Sequence, residues 1–210
     1  MSDADARTDD RPRYHHGDLQ AALLAAAEAE LSEAGIEAFS LRSVARRAGV
    51  SHAAPAHHFG DVQGLLTALA GEGFRRFLAA QHLREAATDG SPRAMMVAAG
   101  LGYVDFALER PALFRLMFSS DRPDFASAAL CEAAEAAYRH LEGGVAALGN
   151  GASAQDVAAV WAIAHGLADL LAAGRLKPIL ALRGAARDAA LAGIISRALP
   201  SDSAQADNAE

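Results

Sequence analysis

Alanine constrains this chain more than any other feature. It fills 54 of 210 positions, and apolar residues make up 52% of the whole while aromatics make up 6%. Alanine has the strongest intrinsic helix propensity, and it is depleted from strands. So much of it, spread along the chain, predicts an all-α fold. The apolar content is too high for wholesale disorder. No run of 18 or more apolar residues is free of charged or polar breaks, so no membrane-spanning helix is expected. Cys131 is the lone cysteine, which excludes an intrachain disulfide and a cysteine-based zinc site. Met1 to Asp10 is acidic and polar, unlike a signal peptide. These features predict a cytoplasmic helical protein.

Turn signals divide the chain into about nine helices. The first runs from about Asp18 to Ala34, with Asp18 as N-cap and Gly35 as terminator. Leu19, Leu23, Ala27 and Leu31 give it an apolar stripe. The second lies between Ser40 and Gly49. The third starts at Ser51 and ends at His58 or Phe59. The fourth runs from Asp61 to about Leu83, with Leu65, Leu66, Leu69, Phe74, Phe77 and Leu78 on its buried face. After a loop at Ala87–Gly90, Ser91 and Pro92 open a fifth helix that stops before Pro111. A short helix follows over Pro111–Phe118. Beyond the break at Asp121–Pro123, about twenty residues run helically to Leu148. Ser153 with Asp156 resembles a capping box for a helix through Trp161 to Ala173. The last helix is expected over Gly184–Leu199, closed by Pro200.

The net charge of −7 hides an uneven distribution. Residues 1–10 and 201–210 each sum to −3, and both are expected to be disordered tails (1–12 and 200–210). Between Ser40 and Gly60 there is no acid, while Arg42, Arg46, Arg47, His52, His57 and His58 fall there. A positive patch on an acidic protein fits a DNA-binding head on a regulatory body, and fits a solvated arginine face equally well. The organisation expected is a head over 13–60 and a body over 61–199, with the helix from 61 to 83 as connector.

The stretch Leu41 to Phe59 carries more specific signals. Val44 and Ala45 face inward on a short helix, and Ala45 is small enough for a steep helix crossing. Gly49 permits the left-handed backbone of a sharp turn, and Val50 plugs the corner. Ser51 is positioned to cap the next helix and point its first turn outward. These are the requirements of a helix-turn-helix whose second helix enters the major groove.

The run from Tyr14 to Leu69 resembles the N-terminal domain of TetR-type transcriptional regulators. The resemblance rests on the first helix ending at Ala34-Gly35, then Phe39-Ser40-Leu41-Arg42, then Val44 through Ser51. It continues through His57-His58-Phe59, Asp61 and Leu65-Leu66. The opening Tyr14-His15-His16-Gly17-Asp18-Leu19 is similar to one branch of that family. Trp161, His165 and Gly166 match that branch's C-terminal Trp-x-x-x-His-Gly pattern. Tyr103 to Ala107 and Pro111 to Phe118 do so as well.

The resemblance implies a homodimer on a near-palindromic double-stranded DNA site, with recognition helices about 34 Å apart. It also implies a repressor released by a largely apolar small-molecule effector. His52, Ala53 and Ala54 would face base edges. Ser51, His57 and His58 would contact phosphates, and Arg42 and Ser43 would hold the backbone. Two positions depart from the family pattern. Ala56 stands where Tyr is usual and Val62 where Lys is usual, and both usual residues reach phosphates. Arg13, His15 and His16 on the N-terminal arm, with Arg42 and Ser43, are the candidates to compensate.

In the body, the helix through Trp161 is apolar on more than one face. Val157, Trp161, Ala164 and Ala168 form one stripe; Val160, Ile163, Leu167 and Leu170 form another. With Ala185, Ala189 and Gly193 on the last helix, these stripes would either build a four-helix dimer interface or pack within a monomer core. Met95, Met96, Tyr103, Phe106, Phe114, Met117 and Phe118 would either wall an effector cavity or form plain core. Trp161 and His165 join that candidate set; His165 would bond a ligand, steadied by Asp169, or belong to a packing motif with Gly166.

No cofactor or metal is expected, because His140 and His165 are isolated and no Gly-rich phosphate loop occurs. An enzyme is disfavoured for the same reasons. A second alternative remains open: a dimeric ligand-binding or protein-interaction module whose DNA head is weakened, as Ala56 and Val62 would make it.

Overall fold

The computed structural model describes residues 16–149 and 153–200. Both expected tails, apart from Pro200, lie outside the described residues. Ten helices are present among the described residues, with no strand. They are α1 (His16–Ala34), α2 (Leu41–Ala48), α3 (Ala54–Phe59), α4 (Val62–Glu85) and α5 (Pro92–Glu109). Then follow α6 (Pro111–Phe118), α7 (Ala128–Ala147), α8 (Ala154–Ala172), α9 (Lys177–Leu180) and α10 (Gly184–Ile195). None is long and apolar enough to cross a membrane.

Local chemistry places most boundaries. Ser40 and Asp61 cap α2 and α4, accepting the N–H of Ser43 at 3.2 Å and of Gly64 at 2.8 Å. Ser153 and Asp156 form a complete capping box on α8. Pro92 and Pro111 sit in first turns, where a missing N–H costs nothing. Two boundaries toward the C-terminal end differ from expectation. α9 was unread because it is a four-residue turn entered through Leu176 in a left-handed conformation. The last helix ends at Ile195, after which i→i+3 bonds from Arg197, Ala198 and Leu199 tighten the chain. That tightening turns Leu199 inward, against Met96, Val145, Val157 and Val160.

α4 is the spine. Its 24 residues span about 36 Å and pack against α1, α3, α5, α6 and α7. One continuous core runs from Leu23 and Val44 through Leu65 and Leu69 to Phe77, Phe106, Leu167 and Leu191. The head and body are therefore fused through shared apolar packing. Ion pairs reinforce the junction. Glu28 on α1 accepts from Arg76 on α4 at 2.7 Å and from Arg110 between α5 and α6. Farther along, Arg84 on α4 bridges Asp105 on α5 and Asp188 on α10, each at 2.8 Å.

Candidate nucleic-acid interface and ligand cavity

In the head, Gly49 ends α2 with φ of 69°, and its N–H and that of Val50 return to the last turn of α2. The helix after this turn begins at Ala54, three residues later than expected. Pro55 explains the delay. It has no N–H for the Ser51 carbonyl, and its ring would clash with that carbonyl in a helix. The Ser51 carbonyl takes the Ala54 N–H at 3.0 Å instead. Ser51, His52 and Ala53 thus form an exposed turn ahead of α3, and Ser51 does not cap it.

Ser51, His52, Ala53, Ala56 and His57 are exposed on one end of the head, with Ala54 and His58 half-buried beside them. Arg42 and Arg46 on α2 are exposed as well. Arg47 is committed elsewhere, to Glu30 at 3.2 Å and Glu33 at 2.5 Å on α1. The hydrogen bond and charge of Arg47 hold the Glu33 carboxyl below its usual range. Ser43 corrects an expectation. It is 7% exposed, and its hydroxyl donates to the Ser40 carbonyl at 2.9 Å, so it belongs to the cap and not to a phosphate. Arg13, His15 and the side chain of His16 lie outside the described residues. Val62 is half-buried against the core, which accounts for an apolar residue there.

In the body, a cavity of about 770 Å³ opens between α4, α5, α6, α7, α8 and α10. Of the nine expected residues, Met96, Tyr103, Met117, Phe118 and Trp161 line it. Met95 points to solvent, 37% exposed. Phe106 and Phe114 are plain core, at 2% and 1% exposure, and are not on the wall. His165 is also off the wall; it packs against the rings of Phe114 and Phe118. Its Nδ1 lies 2.7 Å from the Tyr103 hydroxyl, which also accepts a longer bond from Trp161 Nε1 at 3.4 Å. Burial pushes the Tyr103 phenol well above its usual value, so it stays protonated. Asp169 is exposed and is not among the partners of His165.

Sequence reasoning missed the α4 and α7 walls: Phe74, Phe77 and Gln81 on one, Tyr138 and Leu141 on the other. Gln81 is the informative omission. It is 7% exposed, lines the cavity, and has no hydrogen-bond partner among the described residues. A glutamine in register with Phe74 and Phe77, at i, i+3 and i+7, was a readable signal. The wall also carries Asp121 and Glu135 but no arginine, lysine or histidine.

The expected dimer stripe separates into two sets. Val160 and Leu167 are buried within the protomer, at 4% and 7% exposure, because their turn of α8 faces the core. Ile163 and Leu170 are 38% and 43% exposed, and Ala185, Ala189 and Gly193 on α10 are exposed too. Gly166 lies between them on α8, and a Cβ there would meet nothing within 4 Å. Its small size therefore serves no packing inside the protomer.

A helix-turn-helix head fused by one long helix to a cavity-bearing helical body defines a one-chain regulator architecture. Residues 23–69 match the model for bacterial regulatory proteins of the tetR family, and residues 96–196 match the tetracyclin repressor-like C-terminal domain. The chain belongs to the TetR family of bacterial regulatory proteins. Over 77 residues it is 39% identical to the HTH-type transcriptional regulator BetI of Burkholderia mallei (strain NCTC 10229). That match takes in 37% of this chain and 40% of the curated relative's length. A solved protein of unknown function from Rhodococcus sp. RHA1 is 36% identical, with a TM-score of 0.75, over 91% of this chain and 100% of that one. A transcriptional regulator from the same organism is 26% identical, with a TM-score of 0.62, over 85% of this chain and 92% of that one.

Proposed function

We propose that the protein is a sequence-specific, homodimeric DNA-binding transcriptional regulator, a repressor released by a small-molecule effector. The observation that carries this reading is the junction. An acid-free, exposed head face and a largely apolar cavity are joined through one continuous core along α4. His52 and Ala53, with Ala54 beside them, read base edges, while Ser51, His57, His58, Arg42 and Arg46 meet phosphates. The reading divides the chain into a head over 13–60 and a body over 61–199. It acts in the cytoplasm, where its operator is.

Dimerisation rests on exposed Ile163 and Leu170, with half-buried Gly166 between them, flanked by Ala185, Ala189 and Gly193. Small residues let two such helix pairs approach closely, and exposed apolar side chains then leave water. The effector is neutral or cationic and mostly apolar. Asp121 and Glu135 with no basic neighbour on the wall oppose an anion, and Gln81 offers the amide that one polar ligand group would satisfy. Effector binding releases DNA only if it favours one head separation over the other.

Selection of bound duplexes from a random pool, followed by a salt titration, tests the DNA reading. Enrichment of a near-palindrome with a steep salt slope, lost in His52→Ala, is the expected result. Folded dimer with no enrichment at low salt would instead favour the ligand-binding module with a weakened head.

A further inference from the structure

Immediately beyond the cavity residue Gln81 on α4, three groups converge that the DNA and effector sites do not use. His82 and Glu85 stand at i and i+3 on α4, and His140 approaches from α7. Nε2 of His140 lies 2.7 Å from Oε1 of Glu85. The His82 and His140 rings meet edge to face at 4.7 Å. One donor atom from each residue falls within 4.8 Å of the other two.

The Glu85 side chain is 8% exposed, and a carboxylate so removed from water needs a cation or full hydrogen bonding. No arginine or lysine among the described residues pairs with it. Arg84, its neighbour, is taken up by Asp105 and Asp188. Glu85 is left with an imidazole for a partner and a second imidazole beside that one.

We propose that His82, Glu85 and His140 bind a divalent transition metal of the zinc type. Two imidazoles and one carboxylate form a ligand set that zinc accepts with a further position open to water. Mixed nitrogen and oxygen donors favour zinc, copper, nickel or cobalt over magnesium or calcium. Bonds of about 2.0–2.2 Å place ligand atoms about 3.3–3.5 Å apart in a tetrahedron. The His140–Glu85 hydrogen bond therefore opens slightly, and exposed His82 swings in to close the third side. The metal replaces a proton between two helices and fastens the C-terminal end of α4 to α7. Gln81 and Leu141, next in sequence to His82 and His140, line the effector cavity, so metal and effector share one helical seam.

The test uses the full chain without a histidine tag, stripped with a chelator and titrated with cobalt(II), then zinc. Expected are one cobalt per chain with visible absorption bands, displacement by zinc, and a zinc-dependent rise in Tm. His82→Ala is the decisive variant. His82 is exposed, so its loss leaves the metal-free Tm unchanged while lowering metal affinity more than about tenfold. His140→Ala abolishes the cobalt bands. A wild-type chain without cobalt bands or a zinc-dependent Tm, or a His82→Ala chain that binds cobalt as tightly as wild type, overturns the proposal.

Discussion

The head and the body of this protein solve the same packing problem with different freedoms. In the head, α1 and two short helices enclose Leu23, Val44 and Leu65 with few alternatives, and caps, glycine and proline set most boundaries. In the body, seven helices rich in alanine surround a space that they do not fill. Small side chains let helices come close, while large aromatics on a few positions hold them apart. The lesson is that the head's surface is its working part, while the body works through what its core leaves open.

The sharpest way to break this comparison lies at the boundary. A Cβ on Gly64 would sit 2.0 Å from the Phe59 carbonyl oxygen, which belongs to backbone and cannot step aside. Gly64→Ala is expected to cost about 3 kcal/mol. Calorimetry should record one lowered transition, because head and body share a core; two separated transitions would show that they melt independently.

Within the body, Tyr103 and Gln81 should part company. Tyr103→Phe leaves His165 Nδ1 without its partner and is expected to cost about 2 kcal/mol. Gln81→Ala removes an amide that has no partner, so thermal stability should hold while affinity for a polar-headed effector falls. Equal stability losses in denaturant titrations would refute this division between scaffold and ligand contact.

A smaller effect is expected at the ion pairs joining the two regions. Glu28→Gln weakens the contacts to Arg76 and Arg110, both about a third exposed, and should cost about 1 kcal/mol. Hydrogen exchange should quicken in α1 more than in α8. Arg42→Ala touches only the head surface. It should leave stability unchanged, weaken DNA binding on all sequences alike, and lower the salt slope by about 1.

The least change is expected with pH. Arg47 holds the Glu33 carboxyl below its usual range, and the Ser153 N–H, then its hydroxyl, does the same for Asp156. A carboxyl whose folded value is depressed contributes stability above its unfolded value and loses it as pH falls through the folded one. Stability should therefore be flat near neutrality and decline on acidification below the ordinary carboxylate range. Arg47→Ala and Ser153→Ala should each make that decline shallower.

Much of the fold was legible because helix boundaries follow local rules. Gly35, Gly49, Pro92, Pro111 and the Ser153–Asp156 box end or start helices wherever they stand. Pro55 was legible too, yet its effect on Ser51 needed a hydrogen bond to be followed, and the third helix shortened accordingly. The cavity was half legible. Tyr103, Trp161, Phe106 and Phe114 were equally plausible as wall residues by type and spacing, yet only the first two border the cavity; neighbours cover Phe106 and Phe114. Val160 and Leu167 failed as interface residues for the same reason, since a stripe four residues wide can turn either way by one helical step.

Most of the helices, the helix-turn-helix and the family are legible in the chain alone, because capping, propensity and spacing act over a few residues. Packing alone settles which apolar side chains border empty space, that Tyr103 and His165 pair, and that His82, Glu85 and His140 meet. Those relations join residues tens of positions apart, and they exist only once helices have packed at particular distances and rotations.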